Sequence, residues 1–276
     1  MSRQATIAPR FFIAEAMSCR RWTFAQSALV LIATFTLLSS VSAAAQEAGK
    51  EPASARVVIV TGLDYPGHPW KLTTPVIAEA IRKDKRLTVD IQEDPKFLAS
   101  PKLHEYGVLV LNYMNWESPD PGNEARENLR KFVAGGKGLF LVHFTCGAFQ
   151  GWPEFREIAG RVWDPKLRGH DPHGTFRVEI VDKDHPITRG MAAFETADEL
   201  YTCLTGDKPI HVLAVARSKV DQKDYPMAFV LEYGKGRVFH TVLGHDVKAL
   251  TPPAVQDLFR RGCEWIARLS VNTNNN

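Results

Sequence analysis

Cysteine is scarce in this chain, four in 276 residues, and no two stand in a C-x-x-C spacing. Cys19 falls in the N-terminal leader described below, which leaves Cys146, Cys203 and Cys263. An odd number at wide spacing excludes a disulfide framework, so the fold must rest on its hydrophobic core. One pair stays open to oxidation in an oxidising compartment. A surplus of charge is lacking as well. The formal net charge is +3, and four leader arginines (Arg3, Arg10, Arg20, Arg21) against Glu15 account for it. The remaining chain is near neutral, with no Lys/Arg cluster interleaved with aromatics, which excludes nucleic acid as a partner. No apolar run approaches the about 20 residues of a membrane span, and no internal repeat is visible.

What the chain has begins with that leader. Arg20 and Arg21 precede an uncharged apolar run from Ala28 to Leu38, followed by "SSVSAAAQEAGK". A basic segment, a short hydrophobic core and small residues before a polar start describe a secretory signal peptide. Ala43-Ala44-Ala45 places cleavage after Ala45, with Ala43 as the alternative site and an uncleaved anchor as the alternative fate. The expected organisation is a signal peptide over 1–45, a linker over 46–55, one domain over 56–269 and a disordered tail over 270–276. The mature protein is expected to be periplasmic or secreted, with no stable membrane span after cleavage.

About 230 residues then remain, enough for one α/β domain. "ARVVIVTG" reads as a buried strand stopped by Gly62, and "LTVDIQ", "GVLVLNYM" and "GLFLVHF" as three more, the last ending at His143. Helical spacing marks "PWKLTTPVIAEAIRKD", through Leu72, Val76, Ile77, Ala80 and Ile81, and Asn123 to Ala134, through Leu129, Phe132 and Val133. Strand alternating with helix predicts a parallel sheet with helices on both faces. After Gly160 the rhythm changes. "VWDPKLRGHDPHG" is irregular, "YGKG" joins two apolar strands as a hairpin, and a last helix starts at Thr251 as N-cap.

Ligands bind beyond the carboxyl ends of strands in such sheets, and ionisable groups gather there. The segment after the first strand offers Asp64, Tyr65 and His68; the third ends near Tyr113, the fourth at His143. His240 stands within "RVFHTVLGHD", and His245-Asp246 just past its end. His170, Asp171 and His173 lie in the Gly-rich loop, and Glu199 in "ADELYT" is a further carboxylate. His104 and His211 read as surface or strand-start residues, and His185 as shaping a turn before Pro186. In "GLFLVHFTCGAFQGW", Cys146 has the position of a nucleophile elbow, but Phe144 and Ala148 stand where small residues are required on both sides. The ionisable group at the strand end is His143.

From about Arg56 to Arg268 the chain resembles the trehalose-utilisation, or ThuA-like, family. The matching stretches are "VTGLDYPGHPW", "GLFLVHFTCGAFQGWPEF", "AGRVWDPKLRGHDPHG", "DHPITRG", "DELYTCL" and "PMAFVLEYGKGRVFHTVLGHD". The resemblance implies the class I glutamine amidotransferase architecture, a flavodoxin-like three-layer α/β/α sandwich with a mainly parallel central sheet. It also implies a place in bacterial carbohydrate breakdown, of trehalose and related disaccharides, beside oxidoreductases that make 3-keto-sugars. "LVHFTCG" is the histidine-containing segment that such proteins carry where amidotransferases place a catalytic cysteine.

The expected activity is carried out on a disaccharide or keto-sugar by general acid and base. His143, Glu199 and His245 are the catalytic candidates; Asp64, Tyr65, His68, Tyr113, His170, Asp171 and His240 are the substrate-binding ones. The partner is then a small carbohydrate, and a homo-oligomer stays open. No cofactor is certain. His143, His170 and His245, with Glu199 or Asp246, also suit zinc or another divalent metal. One alternative is a non-catalytic sugar-binding protein stacking its ligand on Tyr65, Trp70, Tyr113 and Trp152. The other is a cysteine-dependent amidotransferase-like hydrolase using Cys146. N-terminal sequencing of the exported protein is expected to begin at Gln46; a protein that keeps residues 1–45 would refute the cleavable leader.

Overall fold

Runs of β-branched and aliphatic residues without polar alternation need cover on both faces, and the runs in the first half of this chain receive it. The computed structural model describes residues 52–116 and 118–273, so the predicted signal peptide and residues 274–276 lie outside the described residues. The strands are β1 (Ala55–Val60), β2 (Leu87–Gln92), β3 (Val108–Leu111), β4 (Gly138–Val142), β5 (Gly174–Ile180), β6 (Phe194–Asp198), β7 (His211–Arg217), β8 (Asp224–Tyr233) and β9 (Gly236–Thr241). They form a nine-stranded sheet in the order β2-β1-β3-β4-β9-β8-β7-β5-β6. The helices are α1 (Trp70–Arg82), α2 (Asn123–Ala134), α3 (Pro153–Ala159), α4 (Val247–Leu250) and α5 (Pro253–Ile266).

Successive residues of a strand point to opposite faces, and the two cores divide accordingly. Val57 and Ile59 share a core with Ile77 and Ile81 of α1 and Phe259 of α5. Val58 and Val60 share the other with Leu129 and Phe132 of α2 and Ile158 of α3. The result is the expected three-layer α/β/α sandwich. Its sheet is parallel only from β2 to β9; the pairs β9-β8, β8-β7, β7-β5 and β5-β6 are antiparallel. The antiparallel extension is where regular helical crossovers stop in the sequence.

Strand direction decides what meets at the carboxyl edge. β1, β3, β4 and β9 run the same way and end together. Four antiparallel steps beyond β9, β6 runs that way again, so Asp198 at its end and Glu199 behind it reach the same edge. β5 runs oppositely, which brings the loop before Gly174, with His170 and His173, there too. Predicted residues thus arrive from both halves of the sheet.

Several boundaries differ from the sequence-based expectation. β4 ends at Val142, and His143 opens a 3-10 turn to Gly147 with φ of 46°. β1 begins at Ala55, inside the predicted linker. In α1 the buried face is formed by Trp70, Thr73, Thr74, Ile77 and Ile81, whereas Leu72 is 59% exposed. α5 starts at Pro253, not at a Thr251 cap, because α4 intervenes and the Thr251 hydroxyl donates to the Val247 carbonyl. Residues 270–273 of the predicted tail are held down, with Arg86 donating to Ser270 and the Asn272 N–H donating to Glu264. No helix among the described residues is long and apolar enough to cross a membrane.

One predicted binding residue proves to be core. His240 lies in β9, wholly buried, its ring against Phe229 and its Nδ1 donating to the Ala159 carbonyl at 3.0 Å. It is the last residue but one of β9, but its ring faces the α2/α3 side of the sheet and is enclosed there, so its role is packing. Burial lowers its pKa to about 4. Below the ordinary 6.5 the unfolded chain therefore takes up a proton that the folded protein refuses, and stability is lost as pH falls from 6.5 toward 4. His240→Leu should remove about 2–3 kcal/mol of that acid-induced loss. Urea unfolding of both proteins at pH 7 and 4.5 checks this; equal losses would refute it.

Candidate metal centre

Four elements each contribute one side chain to a single cluster. His68 lies in the loop after β1, where its N–H donates to the Tyr65 carbonyl at 2.8 Å and closes a small turn. His143 stands at the end of β4, His245 in the loop after β9, and Glu199 immediately after β6. One ligand atom from each of these four residues lies within 4.8 Å of all the others. Gly67, at φ of 83°, permits the approach: a Cβ there would stand 3.2 Å from the His245 ring.

The tautomers follow from the neighbours. His143 Nδ1 lies 2.7 Å from the Val242 carbonyl, which can only accept, so the proton is on Nδ1 and the Nε2 lone pair faces the cluster. His68 Nδ1 lies 3.0 Å from the Pro66 carbonyl, and the same logic points its Nε2 lone pair inward. The two Nε2 atoms are 3.2 Å apart. His245 Nδ1 is 3.2 Å from His68 Nε2 and 3.3 Å from Glu199 Oε2. Glu199 Oε2 is also 3.6 Å from His143 Nε2 and 3.8 Å from His68 Nε2. With both Nδ1 atoms committed to carbonyls, the two Nε2 atoms are the ring positions placed to hold a cation between them.

Charge in the cluster points the same way. Burial alone would raise the Glu199 pKa, but the imidazoles of His143, His245 and His68 around it hold it well below the usual carboxylate range. Burial lowers His143 to about 4, against the pull of Glu199, so it is neutral near pH 7. For His245 burial acts downward, and the Glu199 carboxylate outweighs it to raise the pKa. Two residues that the sequence reading passed over complete the surroundings. Asp198, fully buried, accepts from the backbone N–H of Gly244 at 2.7 Å, of His245 at 3.3 Å and of Glu199 at 2.7 Å. Burial raises its pKa to about 7 although these three bonds oppose the rise. Tyr201, also buried, places its Oη 3.2 Å from His143 Nε2, and burial holds its pKa well above 10. The only sequence signal for either was "DELY", in which Glu199 drew the attention.

The other predicted residues are distributed around this cluster. His170 is outside the four-residue group but borders it. Its Nδ1 donates to the Asp171 carbonyl at 2.7 Å, and its Nε2 lies 3.6 Å from Glu199 Oε1. The neighbouring Asp171 carboxylate turns away, accepting from the Ser218 hydroxyl and the Lys219 N–H, so it braces the loop and does not reach the cluster. Tyr65 packs on His68 and Phe144, and Asp64 is exposed. Tyr113 is buried and lines, with His68, His143 and His245, an inner cavity of about 30 Å³. His173 and Asp246 form with His245 a second, more exposed group.

Of the proposed stacking aromatics, Trp70 is buried at the start of α1, and Trp152 packs against Phe149 and Phe155 in the second core. The half-buried aromatics near the cluster are Tyr65, Trp116 and Trp163, all against Phe144. Cys146 is fully buried and its thiol pKa is pushed far up, which removes the thiolate a nucleophile requires.

The donor set fits a divalent transition metal. Zinc takes imidazole nitrogen and carboxylate oxygen at about 2.0–2.2 Å in tetrahedral geometry, which spaces donors about 3.3 Å apart. The three shortest separations in the cluster are 3.2, 3.2 and 3.3 Å. Histidine ligands commonly anchor their second nitrogen on a carbonyl, as His68 and His143 do here.

Comparison with known proteins agrees with this geometry in its fold. The ThuA family, described as trehalose utilisation, matches residues 56–266. A ThuA-like protein from Parabacteroides merdae superimposes with a TM-score of 0.71 at 24% identity, over 80% of this chain and 93% of that one. One from Bacteroides uniformis gives 0.62 at 21% identity, over 79% and 93%. A glutamine amidotransferase from Thermotoga maritima gives 0.50 at 13% identity, over 79% and 99%. No curated protein matches the chain.

Asp198→Asn would turn one acceptor atom into an NH₂ donor facing backbone N–H groups. A loss of about 2–3 kcal/mol in stability is expected from chemical unfolding; a change below about 0.5 kcal/mol would show that this carboxylate does not hold the loop.

Proposed function

The chain belongs to the ThuA trehalose-utilisation family, and on that premise we propose that it is a metal-dependent enzyme acting on a disaccharide or keto-sugar. The observation that carries the proposal is the pair of inward Nε2 lone pairs on His68 and His143, 3.2 Å apart beside the ionised Glu199. His68, His143, His245 and Glu199 hold the ion, zinc by donor type. His143, His245 and Glu199 are in this reading ligands, not proton shuttles. When bound, the ion supplies a Lewis acid that polarises a sugar carbonyl.

The proton chemistry then falls to His170. Its Nδ1 is committed to the Asp171 carbonyl, which leaves Nε2 as the ring nitrogen placed to exchange a proton, beside Glu199 in a half-exposed position that substrate can reach. In a keto-disaccharide, Nε2 takes the proton from the carbon beside the ketone. The electron pair forms a C=C bond as the glycosidic C–O bond at the next carbon breaks, and the departing sugar oxygen receives the proton that His170 took up. Water adding across the C=C bond completes a net hydrolysis. Tyr65, Trp116 and Trp163 supply aromatic surface for the sugar rings. The leader read from the sequence would place this activity in the periplasm or outside the cell.

Protein purified without a histidine tag and loaded with zinc is expected to hold one equivalent. His143→Ala and His245→Ala should each lower the affinity by at least about 100-fold. Chelation should abolish turnover of a 3-keto-disaccharide, and His170→Ala should abolish turnover with zinc still bound. Metal below about 0.2 equivalents in the wild type would refute the centre. Sugar binding by calorimetry with intact ligand recovered would favour the non-catalytic reading.

A further inference from the structure

Tyr201 presents a conflict that the metal reading must resolve. Its Oη lies 3.2 Å from His143 Nε2 and donates to the lone pair there, because Nδ1 of the same ring carries the proton. That nitrogen has one lone pair, and a ring nitrogen that ligates a cation cannot also accept a hydrogen bond. A buried hydroxyl left without a partner is costly, so it needs a second acceptor close to the first. The phenol is not free to move away. Its ring packs on His143 at 4.6 Å and on Trp163 at 5.3 Å, and its backbone is bridged to His170.

Resting on the metal reading of the preceding section, we propose that Tyr201 is a catalytic hydrogen-bond donor: its hydroxyl passes from His143 Nε2 to the substrate oxygen presented to the centre. For a keto-sugar that oxygen is the carbonyl oxygen, on which negative charge develops as the neighbouring proton leaves. The hydroxyl donates and keeps its proton, so no bond is made or broken at Tyr201. A donor placed in a water-poor site where charge develops is among the strongest devices an active site has. The arrangement also gives the hydroxyl a partner in both states, His143 before the ion is bound and the ligand oxygen afterwards.

The test uses cobalt(II) as the ion and acetohydroxamate as an anionic oxygen ligand, so that no substrate need be known. Wild type and Tyr201→Phe are titrated with cobalt(II), and the loaded proteins with acetohydroxamate, following the visible cobalt bands. Tyr201→Phe is expected to bind one cobalt(II) with affinity within about threefold of wild type, and acetohydroxamate about 10- to 100-fold more weakly, as for loss of a hydrogen bond to a charged group. Its inhibitor complex should show shifted bands. Unchanged acetohydroxamate affinity would overturn the proposal. So would a cobalt affinity that falls as far as the inhibitor's, which would make Tyr201 a positioning residue for the ligands. If Tyr201→Phe does not fold, a crystal structure of the wild-type cobalt–acetohydroxamate complex decides. An Oη within about 3.2 Å of an inhibitor oxygen supports the proposal, and one beyond about 3.5 Å overturns it. Wild type that takes up no cobalt would overturn the metal reading and this inference with it, a result distinct from failure at Tyr201 alone.

Discussion

A carboxylate without access to water holds two distant stretches of chain in the relation that the cluster requires. Asp198 ends an edge strand of the antiparallel half, yet its two oxygens accept from Gly244 and His245, beyond β9 in the middle of the sheet. It also accepts from the N–H of Glu199, its own neighbour. Glu199 and His245 therefore cannot move independently, since the groups that fix their backbones are bonded to one side chain. Gly244, at φ of 124°, gives the loop the turn this bond needs. The cost of burying the carboxylate shows in its raised pKa, and its function in positioning is a reason for such a group to persist inside a protein.

The end of β4 carries a second cost. His143 occupies the left-handed region at φ of 46°, a conformation worth about 1–3 kcal/mol of strain for a residue with a Cβ. This sharp turn after a central strand is the place at which related architectures expose a nucleophile. Here the turn aims an imidazole whose protonated nitrogen is tied to Val242. Cys146, three residues on, packs inside the turn, where its sulfur helps to fill the core below Phe144. The same backbone device thus presents a neutral nitrogen donor where a nucleophile could stand.

The sheet's parallel strands, α2 and the hairpin at "YGKG" were legible in the sequence because each rests on local pattern: apolar runs, helical spacing and a turn dipeptide. His143, His245 and Glu199 were legible as candidates because each follows a strand. Their partners were less so. His68 looked like a substrate contact, since nothing in "LDYPGHPW" reveals that Pro66 fixes its tautomer. Asp198 and Tyr201 act through β6, a strand too irregular in pattern to read as one, and through a register reached after four antiparallel steps. His240 misled for the opposite reason: an imidazole in an apolar strand looks the same on paper whether it faces the carboxyl edge or the core. Which face a residue occupies is set by pairing, and pairing is a long-range property of the chain.

That long range has a further consequence. The four clustered side chains come from positions 68, 143, 199 and 245, and two of them depend on Asp198 at the far edge of the sheet. No fragment that stops short of β9 contains the cluster, and a chain emerging from the ribosome has no place for an ion until its last strand is added and the sheet closes. An ion held there would be taken from whichever compartment witnesses that closure. The identity of the metal would then be settled as much by where the chain finishes folding as by the donors that hold it.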